Sequence, residues 1–581
     1  MKFDRRSFLG LGASGLAGCA DEGPYFGNTN PPTRQQLICA AFDAGDSLDP
    51  AKAAIPGRLV TLFEGLTSYH PQTMDPAAGI ATHYELSLDR LRVTLYLRGH
   101  PNPSGTAFPN TTSFPAVLTR GRPAPPDRTP IRWSDGAIIT AHDVVYSWRR
   151  LLDPATAAPF SHLLYCVQNA REVNAGLLPP EKVGVRAVDE FTLQMDLCAP
   201  TGYFLRLLSC PALSPVPRQA IGAAAQRQTN WTDPGRIVTS GPFLLSEFRL
   251  RDRMVLTRNP HYIEAGMVTL EAVSYLLIPN ETSCVNLYKS GYAHLTAGIA
   301  LSPHLAPALQ RKRDLRTSPS FGVWFPCFNT RKAPFDNVLL RYAVNMAIDK
   351  KAMADVFGFR RTAARTLVPP LDGYSPPESL VIKVDGEPYD VLKHDPQGAR
   401  ALLAKAGYPG GRDANGHRVQ FDLLGPGLAD VRLRCEILQQ QLRSTLNIQA
   451  NIATQEFQAF LERIFSGNYR GMTEYLDWGL YLDPNWFLSQ FVTGASVNAT
   501  GWSDANYDEM LAKANSALDQ RSRMQMLSEC ERYLLSAMPF IPVFYDVWAY
   551  PQKPYVRGML PNVMDVHSLK YAWIDTSWRP S

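Results

Sequence analysis

YLDWGLYLDPNWFL, residues 475–488, concentrates five aromatic side chains around two aspartates. Pro484 should interrupt a helix here, because proline has no backbone N–H and its ring clashes with the preceding turn. Dense aromatic faces beside a few carboxylates are typical of a concave small-molecule site, since the rings supply apolar area and the carboxylates fix orientation. The alternative is an aromatic turn packed in the core, which residue types alone favour because most aromatic clusters are packing.

The N-terminus has the pattern of an export signal. Basic residues up to Arg6 precede an apolar run over residues 8–17, which is too short for a membrane-spanning helix of about 20 residues. RRSFL resembles a twin-arginine signal, and LAGC ending at Cys19 resembles a bacterial lipobox. We predict that residues 1–18 are removed and that a lipid on Cys19 anchors the protein to a membrane, in the periplasm or at the cell surface. A general secretory signal with a chance cysteine is the alternative.

The charge balance of the chain is mild. The formal net charge of +5 falls to +3 once the signal, which carries three basic residues and one acidic residue, is removed. So small a surplus gives no reason to expect nucleic-acid binding. A chain of 581 residues with 45% hydrophobic side chains can bury a large core, and this length indicates more than one domain.

Eight cysteines remain after Cys19, and none forms a Cys-x-x-Cys pair, so a redox motif or clustered zinc site is not predicted. An even number in an exported protein permits disulfides, and Cys166, Cys198 and Cys210 are the first pairing candidates. His162 lies four residues before Cys166, but an isolated pair of this kind is usually packing rather than half a metal site. We therefore predict no metal and no cofactor.

The chain between the signal and the aromatic stretch alternates strands and helices. Residues 92–97 alternate as a half-buried strand should, while residues 100–130 carry eight prolines without periodicity and are predicted to be a surface loop. Thr140 and Asp143 form a capping box before an amphipathic helix that ends at residue 152. The other predicted elements are a strand, turn and strand at 183–197, a strand into a turn at 235–243, strands at 254–262 and 272–278, a helix at 334–350, a helix after a cap at Asp395, a strand at 419–423, a helix at 431–446, a strand at 448–452, a helix at 454–466, helices at 507–518 and 521–536, and a strand at 541–549.

The ordered motifs of the chain resemble those of the large extracellular solute-binding proteins of ABC importers, family 5, which includes oligopeptide and dipeptide binders. The matching stretches are LDP (48–50), LFEGL (62–66), WSDGAIITAHDVVYSWRRLLDP (133–154), SPVPRQAI (214–221), PGRIVTSGPF (234–243), NPHY (259–262), APFDNVLLRYAVNMAIDK (333–350), AKAGYP (404–409), LDPNWF (482–487), NATGWSDANYDEML (498–511) and IPVFYDVWA (541–549). They are collinear and cover nearly all of the mature chain.

The resemblance implies an α/β type II periplasmic-binding fold, in which two lobes joined by a hinge are accompanied by an extra α+β domain. The implied boundaries are an export signal at 1–18, a linker at 19–36, lobe I at 37–69, 201–300 and 551–581, the extra domain at 70–200, and lobe II at 301–550. Such proteins enclose a peptide or other small solute by hinge closure and deliver it to a membrane permease and its ATPase. Catalysis is not implied, and a monomer is expected.

The resemblance also implies ligand contacts in three places. The expected residues are Trp478, Gly479, Leu480, Tyr481, Asp477, Asp483 and Glu474 in the aromatic stretch, Thr239, Ser240 and Gly241 from lobe I, and Trp324 and Phe325 from lobe II. The lobe I residues could instead be an ordinary strand end, and the lobe II pair could be core. Trp478 ranks first.

Residue 480 departs from the pattern of the peptide-binding relatives. They commonly carry an Asp four residues before the proline, where it pairs with the peptide α-ammonium, and this chain has Leu480. Some carry an Arg ten residues before that proline for a ligand carboxylate, and this chain has Glu474. Burying an unpaired ammonium costs several kcal/mol, so another acceptor is needed for a peptide.

Two hypotheses about the ligand follow. In the first, a peptide amine is held by Asp477, Glu474 or Asp483 in a shifted register. In the second, the ligand is a non-peptide, such as a sugar-containing or amine compound, stacked on Trp478 and Tyr481, where a cation–π contact contributes roughly 0.5–2 kcal/mol.

Other protein classes are less well supported by the sequence. No phosphate-binding loop and no HExxH motif is present, so an enzyme such as a peptidase is not predicted. A sensor or periplasmic chaperone remains an alternative, because presenting a ligand to a receptor needs the same closing lobes as import.

Overall fold

The protein is described by a computed structural model over residues 24–41, 47–53, 56–278, 280–297 and 301–580. The predicted signal and the lipidation site at Cys19 lie outside these residues. Within them, no helix is both long and apolar enough to cross a bilayer.

The first half of the chain forms twelve strands and six α-helices. The strands are β1 (Gln36–Ala41), β2 (Thr67–Tyr69), β3 (Pro76–Ala78), β4 (Ala81–Leu86), β5 (Arg92–Leu97), β6 (Thr106–Ala107), β7 (Val185–Ala187), β8 (Thr192–Asp196), β9 (Phe243–Arg249), β10 (Arg253–Arg258), β11 (Ala272–Leu277) and β12 (Leu295–Ala297). The helices are α1 (Ala116–Thr119), α2 (Ala141–Leu152), α3 (Ala170–Asn174), α4 (Phe204–Leu207), α5 (Arg218–Gln226) and α6 (Glu281–Ser290). These counts refer to the described ranges.

The second half adds twelve strands and nine α-helices to the described part of the chain. The strands are β13 (Leu315–Trp324), β14 (Cys327–Phe328), β15 (Thr362–Ala363), β16 (Val381–Val384), β17 (Glu387–Asp390), β18 (Gln420–Pro426), β19 (Gln449–Gln455), β20 (Gly471–Thr473), β21 (Leu476–Trp478), β22 (Phe544–Pro551), β23 (Val556–Arg557) and β24 (Trp573–Ile574). The helices are α7 (Ala306–Leu309), α8 (Val338–Ala347), α9 (Lys350–Phe357), α10 (Pro396–Lys405), α11 (Ala429–Leu446), α12 (Phe457–Phe465), α13 (Asn485–Leu488), α14 (Ala505–Ser516) and α15 (Gln520–Ala537).

The sheets divide between two large hydrophobic cores. The first core lies on two five-stranded sheets, ordered β12-β1-β11-β10-β9 and β6-β4-β5-β8-β7, and it includes Val93, Trp148 and Val273. The second core lies on two four-stranded sheets, ordered β15-β22-β13-β21 and β14-β20-β18-β19, and it includes Val323 and Leu423. One sheet of each core, β12-β1-β11-β10-β9 and β14-β20-β18-β19, combines parallel and antiparallel pairs, and the other two are antiparallel. Sheets of this kind packed with helices are an α/β arrangement, as predicted.

Local sequence signals explain several of these elements. The predicted capping box at the start of α2 is confirmed, since the Asp143 carboxylate accepts from the Thr140 backbone N–H over 2.9 Å. Asp395 caps α10 by accepting from two backbone N–H groups of the first turn. Strand β5 alternates buried and less buried side chains along its length, which is the pattern expected for one packed face.

Two described segments at the junction between the cores are joined by a buried contact. One directly precedes β13, and the other continues from β22 into residues 552 and 553. The backbone N–H of Gln552 donates to the Asp314 carbonyl over 2.8 Å, and the Asp314 carboxylate accepts from the Phe26 backbone N–H at 3.0 and 3.1 Å. The described part of the N-terminal segment is therefore bound to the junction between the cores.

Some local predictions were wrong. Residues 100–130 are not structureless, because they contain β6 and α1, and Leu118 packs in a small cluster with Ala77 and Tyr571. Residues 235–239 do not form a strand, since the Ile237 N–H donates back to the Asp233 carbonyl over 3.0 Å and the strand begins only with β9.

The cysteine pairing was also wrong, because Cys166, Cys198 and Cys210 all carry free thiols. Cys210 is buried in the first core, which separates it from solvent and from an exposed partner. The Cys166 thiol is directed to the Leu163 carbonyl and the Cys198 thiol to the Tyr165 carbonyl, each at 3.8 Å.

Candidate functional site

Strand β21, in the middle of the aromatic stretch, lies at the edge of its sheet. It pairs antiparallel with β13, with Trp478 opposite Gly322 and Leu476 opposite Trp324, and it ends the strand order β15-β22-β13-β21. The Gly479 N–H donates to the Phe321 carbonyl over 2.8 Å. Because backbone groups alternate along a strand, the N–H and C=O groups of Leu476 and Trp478 point away from β13. Among the described strands, none pairs with this outer edge.

The chain leaves β21 and crosses from the second core to the first. Leu480 packs against the first core, and Tyr481 is part of it. The Tyr481 ring stacks on Tyr203, with ring centroids 5.4 Å apart and planes within 12°. The Tyr69 hydroxyl donates to the Leu480 carbonyl over 3.1 Å. Trp486 contacts both cores, so the aromatic stretch lies where the two cores meet.

Two of the three carboxylates between residues 474 and 483 are neutralised by buried arginines. Asp483 is 1% exposed and forms a two-pronged ion pair with Arg523, at 2.7 and 2.8 Å. Glu474 is 4% exposed and accepts from Arg434 Nε. Burial raises the pKa of Glu474, and the positive charge of Arg434 opposes that rise. Both carboxylates are therefore already compensated by a buried positive charge in this structure.

Asp477 is the carboxylate without a cationic partner. It accepts hydrogen bonds from Trp486 Nε1 over 2.8 Å and from Gln490 Nε2 over 2.6 Å. Neither donor is charged, and no described Lys or Arg side chain forms an ion pair with it. Burial raises the pKa of Asp477 from 3.8 to about 6, against the lowering effect of these hydrogen bonds. A half-buried carboxylate in this state would be stabilised by an added cation.

Trp478 is the exposed aromatic side chain of the site, with 37% of its surface accessible. Its ring stacks on Trp548 of β22 at a centroid distance of 5.7 Å, and its Nε1–H donates to Asp546 over 3.1 Å. The indole crosses Gly322, where an added Cβ would lie 2.3 Å from Trp478 Cδ1. The small residue on β13 thus makes room for the ring.

The other predicted contacts are enclosed. Trp324 and Phe325 are 0% and 1% exposed and belong to the second core. Thr239 and Ser240 are fully buried, and the backbone N–H groups of Ser240 and Gly241 donate to the Leu62 carbonyl. Gly479 packs against the Phe321 ring, which an added Cβ would meet at 2.3 Å. The aromatic stretch therefore lies at the boundary between the two cores. The other two sets of predicted contacts, residues 239–241 and residues 324–325, are buried.

Several residues at this boundary were missed by sequence reasoning. Tyr203 and Tyr69 lie far from residues 475–488 in sequence, and nothing local marks their contacts. Trp548 and Asp546 stand in the quoted motif IPVFYDVWA, whose aromatic and acidic composition was a usable signal. No described group of three or more His, Cys, Asp or Glu side chains is arranged to hold a metal ion.

The comparisons with known proteins agree on one family. The family described as "Bacterial extracellular solute-binding proteins, family 5 Middle" matches residues 128–499. The periplasmic oligopeptide-binding protein OppA of Salmonella typhimurium is 30% identical over 436 residues, which cover 74% of this chain and 77% of OppA. The probable deoxycholate-binding periplasmic protein YgiS of Escherichia coli is 30% identical over 445 residues, covering 75% of this chain and 80% of YgiS.

A solved structure supports the same relationship. The murein tripeptide binding protein MppA of Escherichia coli superposes with a TM-score of 0.78 at 25% sequence identity. The superposition covers 94% of this chain and 99% of MppA. Similarity therefore extends over the whole architecture.

Proposed function

Because the chain belongs to family 5 of the bacterial extracellular solute-binding proteins, we propose that it captures a peptide between its two cores and delivers it to a membrane ABC permease. The observation that carries this proposal is the unpaired outer edge of β21 at the place where the cores meet. An extended peptide can add to such an edge through backbone hydrogen bonds, which do not depend on the peptide sequence.

The peptide α-ammonium is received by Asp477 in this proposal. Leu480 cannot accept a charge-assisted hydrogen bond, and the carboxylates of Glu474 and Asp483 are already paired with arginines. Asp477 has only neutral donors and a pKa raised by burial to about 6. An ammonium would favour its ionised form and offset the desolvation of the carboxylate. Of the open alternatives for the amine, Asp477 is therefore the one we adopt.

The structure gives less support to a ligand sandwiched between two aromatic rings of the stretch. Tyr481 is 3% exposed and already stacked on Tyr203, which leaves Trp478 as the accessible ring. A non-peptide amine that contacts Trp478 alone is the competing outcome of the binding test below. A sensor or chaperone role would use the same site, and we propose no catalytic step.

The cellular placement is part of the proposal. The relatives named above are periplasmic proteins, which supports an extracytoplasmic location. We propose that residues 1–18 are cleaved and that a lipid on Cys19 anchors the chain, as the lipobox pattern indicates. We also retain the division into lobe I, lobe II and an extra domain at 70–200, and a monomeric state, as proposals.

Calorimetric titration tests the ligand class. The purified protein, denatured and refolded to remove any bound solute, is titrated with a mixed tripeptide pool and with the same pool after N-acetylation. Tight binding that acetylation abolishes is expected. Equal affinity for both pools would show that the free amine is not recognised. If neither pool binds, the proposal that the ligand is a peptide is wrong. Mass spectrometry of solute released on denaturation identifies the natural ligand.

A further inference from the structure

The described chain begins with a short segment, residues 24–28, that is bound at both ends to the junction between the two cores. The Pro24 carbonyl accepts from the Arg313 backbone N–H over 2.8 Å. The Asn28 N–H donates to the Lys289 carbonyl over 2.9 Å. The segment is therefore held between the C-terminal end of α6 and the residues that precede β13.

Buried side chains hold the middle of this segment. The Phe26 N–H donates to both oxygens of the buried Asp314 carboxylate, at 3.0 and 3.1 Å, and the Phe26 carbonyl accepts from Lys553 Nζ over 2.9 Å. Gly27 has a φ of +74°, and a Cβ added there would lie 2.1 Å from a backbone carbonyl oxygen of α6. This close approach at positive φ requires glycine, so the position of the segment is built into the fold.

The bound segment limits the distance between the folded protein and the predicted lipid. Cys19 precedes Pro24 by five residues, and five residues span at most about 18 Å when fully extended. With a lipid on Cys19 in the membrane, the surface around residues 24–28 stays within about this distance of Cys19. Any side chains on that surface are therefore kept close to the phospholipid headgroups.

Four exposed basic side chains lie around the bound segment, and they are called the anchor patch below: Lys289, Arg311, Arg313 and Arg579. The backbones of Lys289 and Arg313 bond directly to the segment. Arg579 follows Trp578, whose ring contacts the Tyr25 ring edge-on at a centroid distance of 5.5 Å. Half-exposed Tyr and Trp rings beside basic side chains are typical of surfaces that lie at a membrane–water interface.

The acidic residues near these positions in the chain do not cancel the charge of the anchor patch. Asp314 is 0% exposed and accepts hydrogen bonds at the junction. Asp575 forms an ion pair with Arg557 at 4.0 Å. Asp21 and Glu22 lie in the linker, and their two negative charges are fewer than the four positive charges of the anchor patch. A positive surplus therefore remains beside the attachment point of the lipid.

We propose that the anchor patch lies against anionic phospholipid headgroups of the leaflet that holds the Cys19 lipid, so that the junction between the cores faces the membrane. This inference rests on the proposed function, since it takes the lipid on Cys19 from there. Anionic headgroups attract Lys and Arg within about a Debye length of the surface, which is ~8 Å at physiological ionic strength. The short linker lets the anchor patch reach this layer and prevents it from diffusing far away.

Sedimentation with protein-free vesicles tests the anchor patch. The mature chain, residues 19–581, is prepared with Cys19→Ser so that no lipid contributes to binding. At low salt, partition onto vesicles that contain phosphatidylglycerol should exceed partition onto phosphatidylcholine vesicles by about tenfold or more, and the difference should shrink as salt is added. Equal partition onto both vesicles at low salt would overturn the proposal.

Charge reversal tests which surface binds. Arg311→Glu combined with Arg313→Glu should lower partition onto phosphatidylglycerol vesicles by about tenfold or more. The matched control combines Arg218→Glu and Arg227→Glu, two exposed arginines at the ends of α5, and should lower it by about threefold or less. An equal loss in both double variants, or no loss in the first, would overturn the anchor patch. If the first double variant fails to fold, the salt series on the unreversed chain decides.

A separate measurement distinguishes this inference from the proposed function. Mass spectrometry of the full chain, purified from bacterial membranes, shows whether Cys19 carries a lipid. An unmodified Cys19 would overturn the anchoring in the proposed function and, with it, the orientation inferred from that anchor. A lipid on Cys19 without preference for phosphatidylglycerol would overturn the anchor patch alone.

Discussion

Trp486 Nε1–H donates a hydrogen bond to the Asp477 carboxylate over 2.8 Å. Trp486 contacts both hydrophobic cores, so this bond ties a half-buried carboxylate to the side chain that spans the boundary. The contact leaves Asp477 without a positive charge beside it, although burial raises its pKa to about 6.

Peptide affinity should depend on pH through Asp477. With a pKa near 6 in the free protein, most of this carboxyl is protonated at pH 5 and ionised at pH 7, whereas a peptide amine stays charged over this range. Affinity for a free-amine peptide should therefore rise by about tenfold from pH 5 to pH 7. Calorimetry at pH 5, 6 and 7 measures this, with the N-acetylated peptide as control. A flat profile for the free-amine peptide would contradict it.

The raised pKa of Asp477 should also affect the stability of the ligand-free protein. Its contribution to stability should fall as pH rises, whereas peptide affinity should increase. The pKa of Asp477 is higher in the folded state than its ordinary value of 3.8, so the folded state binds more protons between these values. The free energy of unfolding contributed by Asp477 should fall as pH rises from about 4 to about 6. Urea denaturation at several pH values in this range should show that the free energy of unfolding of Asp477→Asn falls less, or rises more, with pH than that of the wild type. An identical pH dependence of the two unfolding free energies would argue against the raised pKa.

Asp483 should matter for stability. Its partner Arg523 is 0% exposed, and removal of the negative charge leaves that guanidinium buried and uncompensated. Asp483→Asn should therefore lose about 3–5 kcal/mol of unfolding free energy, measured by chemical denaturation. The matched control is Asp355→Asn, whose ion pair with Lys351 is largely exposed and which should lose about 1 kcal/mol or less. Similar losses for both variants would refute the distinction.

Trp478 should matter for binding rather than folding. Its side chain is partly exposed and stacks on Trp548, so Trp478→Ala should weaken peptide binding about 3- to 10-fold, equivalent to about 0.5–1.5 kcal/mol of ring contact. Its melting temperature should stay close to that of the wild type. Phe487, which is fully buried, is the contrasting position, and Phe487→Ala should lose about 3–5 kcal/mol of stability. Unchanged peptide affinity in Trp478→Ala would remove that residue from the site.

Much of the architecture could be predicted because it depends on local patterns. The capping box at Thr140 and the alternation in β5 are short-range features, and both were confirmed. The family and the α/β fold followed from collinear motifs. The short helix near Leu118 was missed because its stability comes from distant partners, including Tyr571, which a periodicity argument does not detect.

The candidate site was only partly predictable for the same physical reason. Residues 475–488 could be singled out by composition, but which carboxylate lacks a cation depends on Arg434 and Arg523, neither of which is marked by its own sequence context. Trp324 was expected to be a contact because of the family resemblance, yet aromatic residues on a central strand are usually buried, and its side chain is 0% exposed. Contacts between residues far apart in the sequence determine which carboxylate lacks a cation and which aromatic side chain is accessible.

The most direct test of amine capture by Asp477 is a thermodynamic cycle. Wild type and Asp477→Asn are each titrated calorimetrically with one tripeptide and its N-acetylated form, with Glu474→Gln as the matched carboxylate control. Acetylation should weaken binding to the wild type and to Glu474→Gln by about 10- to 100-fold, the size of a hydrogen bond to a charged group. It should have little effect on Asp477→Asn. An acetylation penalty of equal size in Asp477→Asn would show that another group binds the amine.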